Sequence, residues 1–158
     1  MFIRPIQAGD RLKINRFLIE QWYATEIILR GERVDISDAH GWAAWDKEDE
    51  LIGLITFRNL HGECEILSLD SLQENHGIGT ALVSKVIDYA RTVGCHQIKL
   101  ITTNDNIRAI RFYQKRGFDM AKLYHNAMEE TRKLKPEVPL LGMHGIPLNH
   151  EIEFVMEL

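Results

Sequence analysis

Residues 63–94 change hydrophobic period once, and two glycines make the change. "ECEILSLDSL" (63–72) is an apolar-rich run of strand length. From Gly77 to about Val93 the apolar residues Leu82, Val83, Val86, Ile87 and Ala90 form one helical stripe, which Gly94 ends. Between them lies "QENHGIGTAL" (73–82). A strand, then Gly-x-Gly, then a helix start places backbone N–H groups at the positive end of a helix dipole. Taken alone, such a loop is either a plain strand-to-helix turn or a cradle for an anion. A Walker loop is excluded, because the sequence runs Gly79-Thr80-Ala81 with no Gly-Lys-Ser/Thr. A dinucleotide fingerprint is excluded too, since no third glycine stands at the required spacing.

The flanking segments set the fold class. "FIRPI" (2–6) reads as an edge strand, because Pro5 cannot serve a central one. Asp10 is placed to cap a helix running to about Trp22, with Leu12, Ile14, Phe17, Leu18 and Trp22 near helical spacing. "TEIILR" reads equally as strand or helical turn, and Gly31 breaks it. "GWAAWDK" (41–47) and "ELIGLITFRN" (50–59) are strands joined by a tight turn, the second apolar enough to be buried on both faces. "QIKLITT" (97–103) is a strand, "NDNIRAIRFYQKRG" (104–117) a glycine-closed helix and "FDMAKLYH" (118–125) a strand. "EIEFVMEL" (151–158) alternates as a final strand. The order predicts a mixed α/β sheet, an antiparallel meander followed by helix–strand–helix–strand, and not a doubly wound parallel sheet.

A chain of 158 residues predicts one domain, 1–158, with an irregular Pro/Gly-rich insertion at 126–149 after a short helix at 126–134. The net charge of −4 argues against general nucleic-acid binding and slightly favours cationic partners. Cys64 and Cys95 stand far apart with no partner motif, which points away from a disulfide framework and from a metal site. No signal-like start and no apolar run of about 18 residues is present. A cytoplasmic protein without a membrane span is expected.

A second element sharpens the glycine loop. On the helix after 104, Asn106, Ala109, Ile110 and Tyr113 share one face, while Arg108, Arg111 and Lys115 point elsewhere. Alone, Tyr113 reads either as a core tyrosine or as a group facing a polar partner. Together the two elements resemble the GNAT superfamily of acyl-CoA-dependent N-acetyltransferases. The loop is similar to that family's pyrophosphate motif, Gln/Arg-x-x-Gly-x-Gly/Ala. Asn106…Ala109…Phe112-Tyr113…Gly117-Phe118 is similar to its N-x-x-A-x-x-F-Y-x-x-x-G-F signature. The match departs at Glu74, where the family has Gln or Arg, and at Asn75, where glycine is common.

The resemblance implies acetyl-CoA as co-substrate, no metal, and direct transfer of an acetyl group to a primary amine. It implies that the strand at 63–70 splays from that at 97–103 and offers backbone at Leu67 and Leu69 to the pantetheine. Amides of Glu74, Asn75, His76, Gly77, Ile78, Gly79 and Thr80 would hold the pyrophosphate. Asn106 would contact the cofactor, Lys115 or Arg116 would reach its 3′-phosphate, and Tyr113 would protonate the departing thiolate. An amine must arrive neutral to attack, so a base is needed. The family often draws it from the strand at 63–72, where Glu63 and Glu65 are expected to share a face with Leu67 and Leu69. Each of the two reads as base or as a solvated carboxylate. His76 and His125 read either as site residues or as structural ones.

The tail "ETRKLKPEVPLLGMHGIPLNHEIEF" resembles a bacterial subgroup of the same superfamily. Its runs Val138–Leu141 and Ile146–Leu148 suggest that it packs. It is expected to cover part of the acceptor site or to make a subunit contact, as in a homodimer. The acceptor is expected to be a small-molecule or peptide amine. A sensor that binds acyl-CoA without turnover is the alternative, and an unrelated nucleotide-binding α/β domain a third reading.

Overall fold

In the computed structural model, which describes residues 1–158, the chain divides into two units. The first comprises Met1–Ile27, Asp35–Ile98 and Leu158; the second comprises Ile28–Val34 and Lys99–Glu157. Four α-helices and nine mostly antiparallel strands give the mixed α/β class that the sequence predicts.

The first unit begins with β1 (Phe2–Pro5) and α1 (Arg11–Trp22). Next in the chain comes a ribbon of β2 (Glu26–Leu29) and β3 (Glu32–Asp35), most of which belongs to the second unit. Its turn uses Arg30 and Gly31, at φ 52° and 74°. Two consecutive positive φ values match the twist of a two-residue hairpin. The ambiguous "TEIILR" is therefore a strand, and its partner at 32–35 was not foreseen.

The unit continues with β4 (His40–Trp45), β5 (Leu51–Leu60), β6 (Glu63–Ser71) and α2 (Ile78–Thr92). The strand order is β1-β4-β5-β6, all antiparallel. β1 is an edge strand, as Pro5 requires. Leu51 through Phe57 of β5 are all buried, as a strand covered on both faces must be. α2 buries Ile78, Leu82, Val83, Val86 and Ala90.

Asp10 departs from expectation. Its carboxylate does not cap α1. It accepts from Arg4 Nη2 at 2.9 Å and from the backbone N–H of Gln7 at 2.8 Å. It thus serves the short 3₁₀ turn Ala8–Asp10 that leads into the helix. The Arg4 hydrogen bond holds its carboxyl below the ordinary range. The predicted apolar face of α1 is also narrower: Ile14, Phe17 and Leu18 are buried, whereas Leu12 is 80% exposed.

The second unit holds β7 (Gln97–Thr103, from Lys99 onward), α3 (Ile107–Lys115), β8 (Asp119–Tyr124), α4 (Ala127–Leu134) and β9 (Glu151–Glu157). Strand order is β7-β9-β8, with β8 and β9 antiparallel and β8 at the edge. Tyr113, Phe118 and Phe154 form its aromatic core.

The Pro/Gly-rich segment is held mainly by polar side chains. Arg132 donates to the carbonyls of Pro139 and Leu148, at 2.8 and 2.5 Å. Asn104 Oδ1 accepts from the N–H groups of Asn149 and His150. Leu148 is buried, but Leu140 and Leu141 are exposed. The expected packing of both apolar runs is thus only partial. No helix is long and apolar enough to cross a membrane.

Candidate functional site

Within the first unit the register of β6 is interrupted. Ser68 pairs with Thr56 and Ile66 with Phe57, so Leu67 is an extra residue opposite no partner. This is a β-bulge, which bends a strand and frees backbone groups from the ladder. It also resets alternation. Directly paired residues share a face. Glu63, Glu65, Ser68 and Asp70 therefore lie with Leu60, Arg58, Thr56 and Leu54, while Leu69 lies with Ile55 on the other face. The expectation that Glu63 and Glu65 share a face with Leu69 is overturned, because strict period-2 counting cannot see a bulge.

Glu65 is 1% exposed, and Nε and Nη2 of Arg58 both donate to its Oε1, at 3.0 and 2.8 Å. The guanidinium thus occupies one oxygen of this buried carboxylate in an ion pair. Glu63 sits at the hairpin end of β6, opposite Leu60, with His96 Nε2 at 3.8 Å. On the same face Thr56 Oγ1 and Ser68 Oγ are hydrogen-bonded at 2.6 Å. Beyond them, Trp22 Nε1 donates to Asp70 Oδ2 at 2.8 Å. Burial pushes the Asp70 carboxyl up to about 6, against the lowering effect of the indole N–H. Neither Trp22 nor Asp70 was singled out from sequence. The one signal was an acid inside an apolar-rich run.

The loop after β6 is a strand-to-helix connection with an open helix end. Gly77, at φ 75°, is the N-cap residue of α2, and no side chain caps that end. Backbone N–H groups of the first turn therefore lack an intrahelical acceptor. Asn75 adopts φ 60°. That left-handed conformation explains the departure from glycine, because asparagine tolerates it better than most residues. Glu74, Asn75, His76, Gly77 and Thr80 are exposed, Gly79 is half-buried and Ile78 is buried. His76 Nδ1 lies 2.6 Å from the Glu74 carbonyl oxygen. A carbonyl only accepts, so Nδ1 carries the proton and the ring braces its own loop.

Within the second unit, Asn106 is the N-cap of α3, and its Oδ1 accepts from Ala109 N at 3.1 Å. Sequence placed Asn106 on a helical face with Tyr113. The structure gives its oxygen a capping task instead, because polar side chains at a helix start satisfy orphan N–H groups. Tyr113 is 7% exposed and packs edge-on against Phe112 and Phe118, with ring centroids at 5.1 and 5.5 Å. Arg116 lies 3.6 Å over the Phe112 ring and donates to the Phe112 carbonyl. Arg108, Arg111 and Lys115 are exposed, as a solvated face predicts. His125 stacks on His150 at 4.7 Å between centroids. Asp105, also not foreseen, is a buried carboxylate that accepts from Thr103 Oγ1 and from the N–H of Met143.

Comparison with known proteins places the chain in a family. Protein YdhI of Bacillus subtilis (strain 168) is 42% identical over 154 residues, 98% of this chain and 96% of its own. A GNAT family acetyltransferase from Elizabethkingia anophelis, solved with acetyl-CoA bound, superposes with a TM-score of 0.71 at 22% identity, over 99% of this chain and 97% of its own. A Bacillus subtilis acetyltransferase solved in complex with CoA gives a TM-score of 0.70 at 18% identity, covering 99% and 97%. Residues 11–118 match the acetyltransferase (GNAT) family, so the chain belongs to that family of acetyl-CoA-dependent enzymes.

Proposed function

We propose that this protein transfers an acetyl group from acetyl-CoA to a primary amine of a small molecule or peptide, by direct attack of the amine on the thioester. The observation that carries this reading is the uncapped first turn of α2 behind a loop with Asn75 and Gly77 in the left-handed conformation. Such an end offers several N–H donors and a positive dipole to a pyrophosphate. Backbone amides of residues 74–80 hold that group, and bulged backbone near Leu67 and Leu69 hydrogen-bonds the pantetheine. Asn106 orders the start of α3 and contacts the cofactor through its remaining amide nitrogen. Tyr113 gives its hydroxyl proton to the departing thiolate, and Lys115 meets the 3′-phosphate. Glu63 and Glu65 shape the acceptor side of β6.

Free thiol release from acetyl-CoA, followed against spermidine, an aminoglycoside, amino acids and short peptides with free N-termini, tests the reading. Turnover with at least one amine is expected. Thermal stabilisation by CoA without turnover on any amine would instead mean a binding protein, and stabilisation by ATP or NAD but not by CoA an unrelated nucleotide site.

A further inference from the structure

Two carboxylates on the inner stretch of one β6 face have opposite circumstances. Glu65 is neutralised by a guanidinium. Asp70 has no cation beside it. Its Oδ2 takes one hydrogen bond, from the Trp22 indole, and its Oδ1 takes none from the chain. The groups around it are Leu54 across the ladder, the Thr56–Ser68 hydroxyl pair and the Arg58–Glu65 ion pair farther along β5 and β6, and Trp22 from α1. No charge among them perturbs Asp70; its carboxyl responds to burial and to the indole alone. The residue is half-buried. It stands three residues past the Leu67 bulge and four before Glu74, between the two stretches given to the cofactor.

We propose that Asp70 is the carboxylate that accepts the proton of the acceptor amine, with Trp22 as the residue that positions it. The assignment rests on the acetyltransferase reading above and deepens it. In the step, an ammonium gives one proton to the Asp70 carboxylate, which passes it to solvent. The freed nitrogen pair forms the N–C bond at the thioester carbonyl. The C–S bond breaks with its electron pair on sulfur, and the thiolate takes a proton from Tyr113. The second nitrogen proton restores the tyrosine, leaving an amide, a thiol and one proton released. A base must be ionised at working pH yet basic enough to accept. Burial has moved the Asp70 carboxyl up to about 6, which meets both needs at neutral pH.

The experiment is the pH profile of kcat/KM for wild type, Asp70→Asn and Trp22→Phe, with the best amine of the panel, beside CoA affinity by calorimetry. Wild type should show an acidic limb near pH 6. Asp70→Asn should lose about 10²-fold or more in kcat, lack that limb and bind CoA as wild type does. Trp22→Phe removes a hydrogen bond that favours the carboxylate, so its limb should move to higher pH; a merely structural tryptophan would lower the rate without moving the limb. Wild-type turnover and an unchanged profile in Asp70→Asn would overturn the role of Asp70 and leave the acetyltransferase reading intact. CoA binding without turnover in the wild type would overturn both. If Asp70→Asn fails to fold, the limb in Trp22→Phe decides, and an unmoved limb overturns the proposal.

Discussion

Asp105 occupies the space that a side chain at Gly142 would need: a Cβ built at Gly142 lies 2.1 Å from Asp105 Oδ2 and 2.9 Å from its Cβ. Gly142 has φ −96°, so the restriction is steric rather than conformational. The same Oδ2 accepts the N–H of Met143 at 2.9 Å, and Oδ1 accepts from Thr103 at 2.5 Å. The close approach of backbone to carboxylate helps to seat the 138–148 segment, beside the bonds that Arg132 and Asn104 donate to it. Gly142→Ala should force the two apart and cost about 1–3 kcal/mol, as overpacking does. Urea unfolding checks the stability, and limited proteolysis within 138–148 should speed up. An unchanged midpoint and an unchanged cleavage pattern would show that the contact does not anchor the segment.

Asp70 makes a prediction about stability that runs opposite to its effect on rate. Its folded carboxyl sits at about 6, above the ordinary 3.8. Between those values the folded state binds more protons than the unfolded one. Stability from this group is therefore full below about pH 4, falls as pH rises toward 6, and stays low above it. Asp70→Asn removes the buried charge, and the asparagine oxygen can still accept from Trp22. The variant should melt higher than wild type at pH 7.5 by a few degrees, and the difference should vanish near pH 4. Groups held for function often cost stability in this way. A melting temperature lowered at pH 7.5 would mean that the carboxylate stabilises the fold.

How much of this was legible in the sequence depends on what decides each feature. Where hydrophobic period and glycine decide, the reading succeeds: the strand at 97–103 is residue for residue β7, and Gly94 and Gly117 follow the helices they were expected to close. Where a tertiary hydrogen bond decides, it does not. Asp10 has a capping residue's chemistry, but Arg4, brought in by β1, competes for its carboxylate. The bulge at Leu67 leaves no mark in composition, and it alone reverses which face Leu69 takes. Nothing local to Asp105 announces that the Met143 N–H arrives from 38 positions away. The segment at 26–35 stayed open for another reason: "TEIIL" is too short for period to tell strand from helix.

The loop at 73–80 allows a test of backbone against side chain. If N–H donors at the α2 start hold the pyrophosphate, position 75 matters for its left-handed φ of 60° and position 74 for its charge. Asn75→Gly keeps that conformation and should leave CoA affinity within about twofold, whereas Asn75→Val is strained there and should weaken it about tenfold. Glu74→Arg exchanges a negative for a positive charge on an exposed loop and should tighten CoA binding, more at low salt than at high. Calorimetry at two salt concentrations reads all three variants. An unchanged or weaker affinity for Glu74→Arg would assign Glu74 a structural task in the loop.

Tyr113 separates packing from chemistry most cleanly. Its ring is buried against Phe112, Phe118 and Phe154, with centroids 5.1, 5.5 and 6.2 Å away. Phenylalanine keeps that ring and those contacts and removes only the hydroxyl. Tyr113→Phe should therefore keep the fold and bind CoA with similar affinity. If the hydroxyl protonates the leaving thiolate, kcat should fall by about 10²-fold. The loss should shrink with a thioester whose thiol is more acidic, since a better leaving group needs less protonation. Rates for acetyl-CoA and for an aryl thioester, compared in both proteins, check this. Equal activity in the variant would remove Tyr113 from the acid role, and an equal loss with both thioesters would mean that the hydroxyl orients the substrate rather than protonating it.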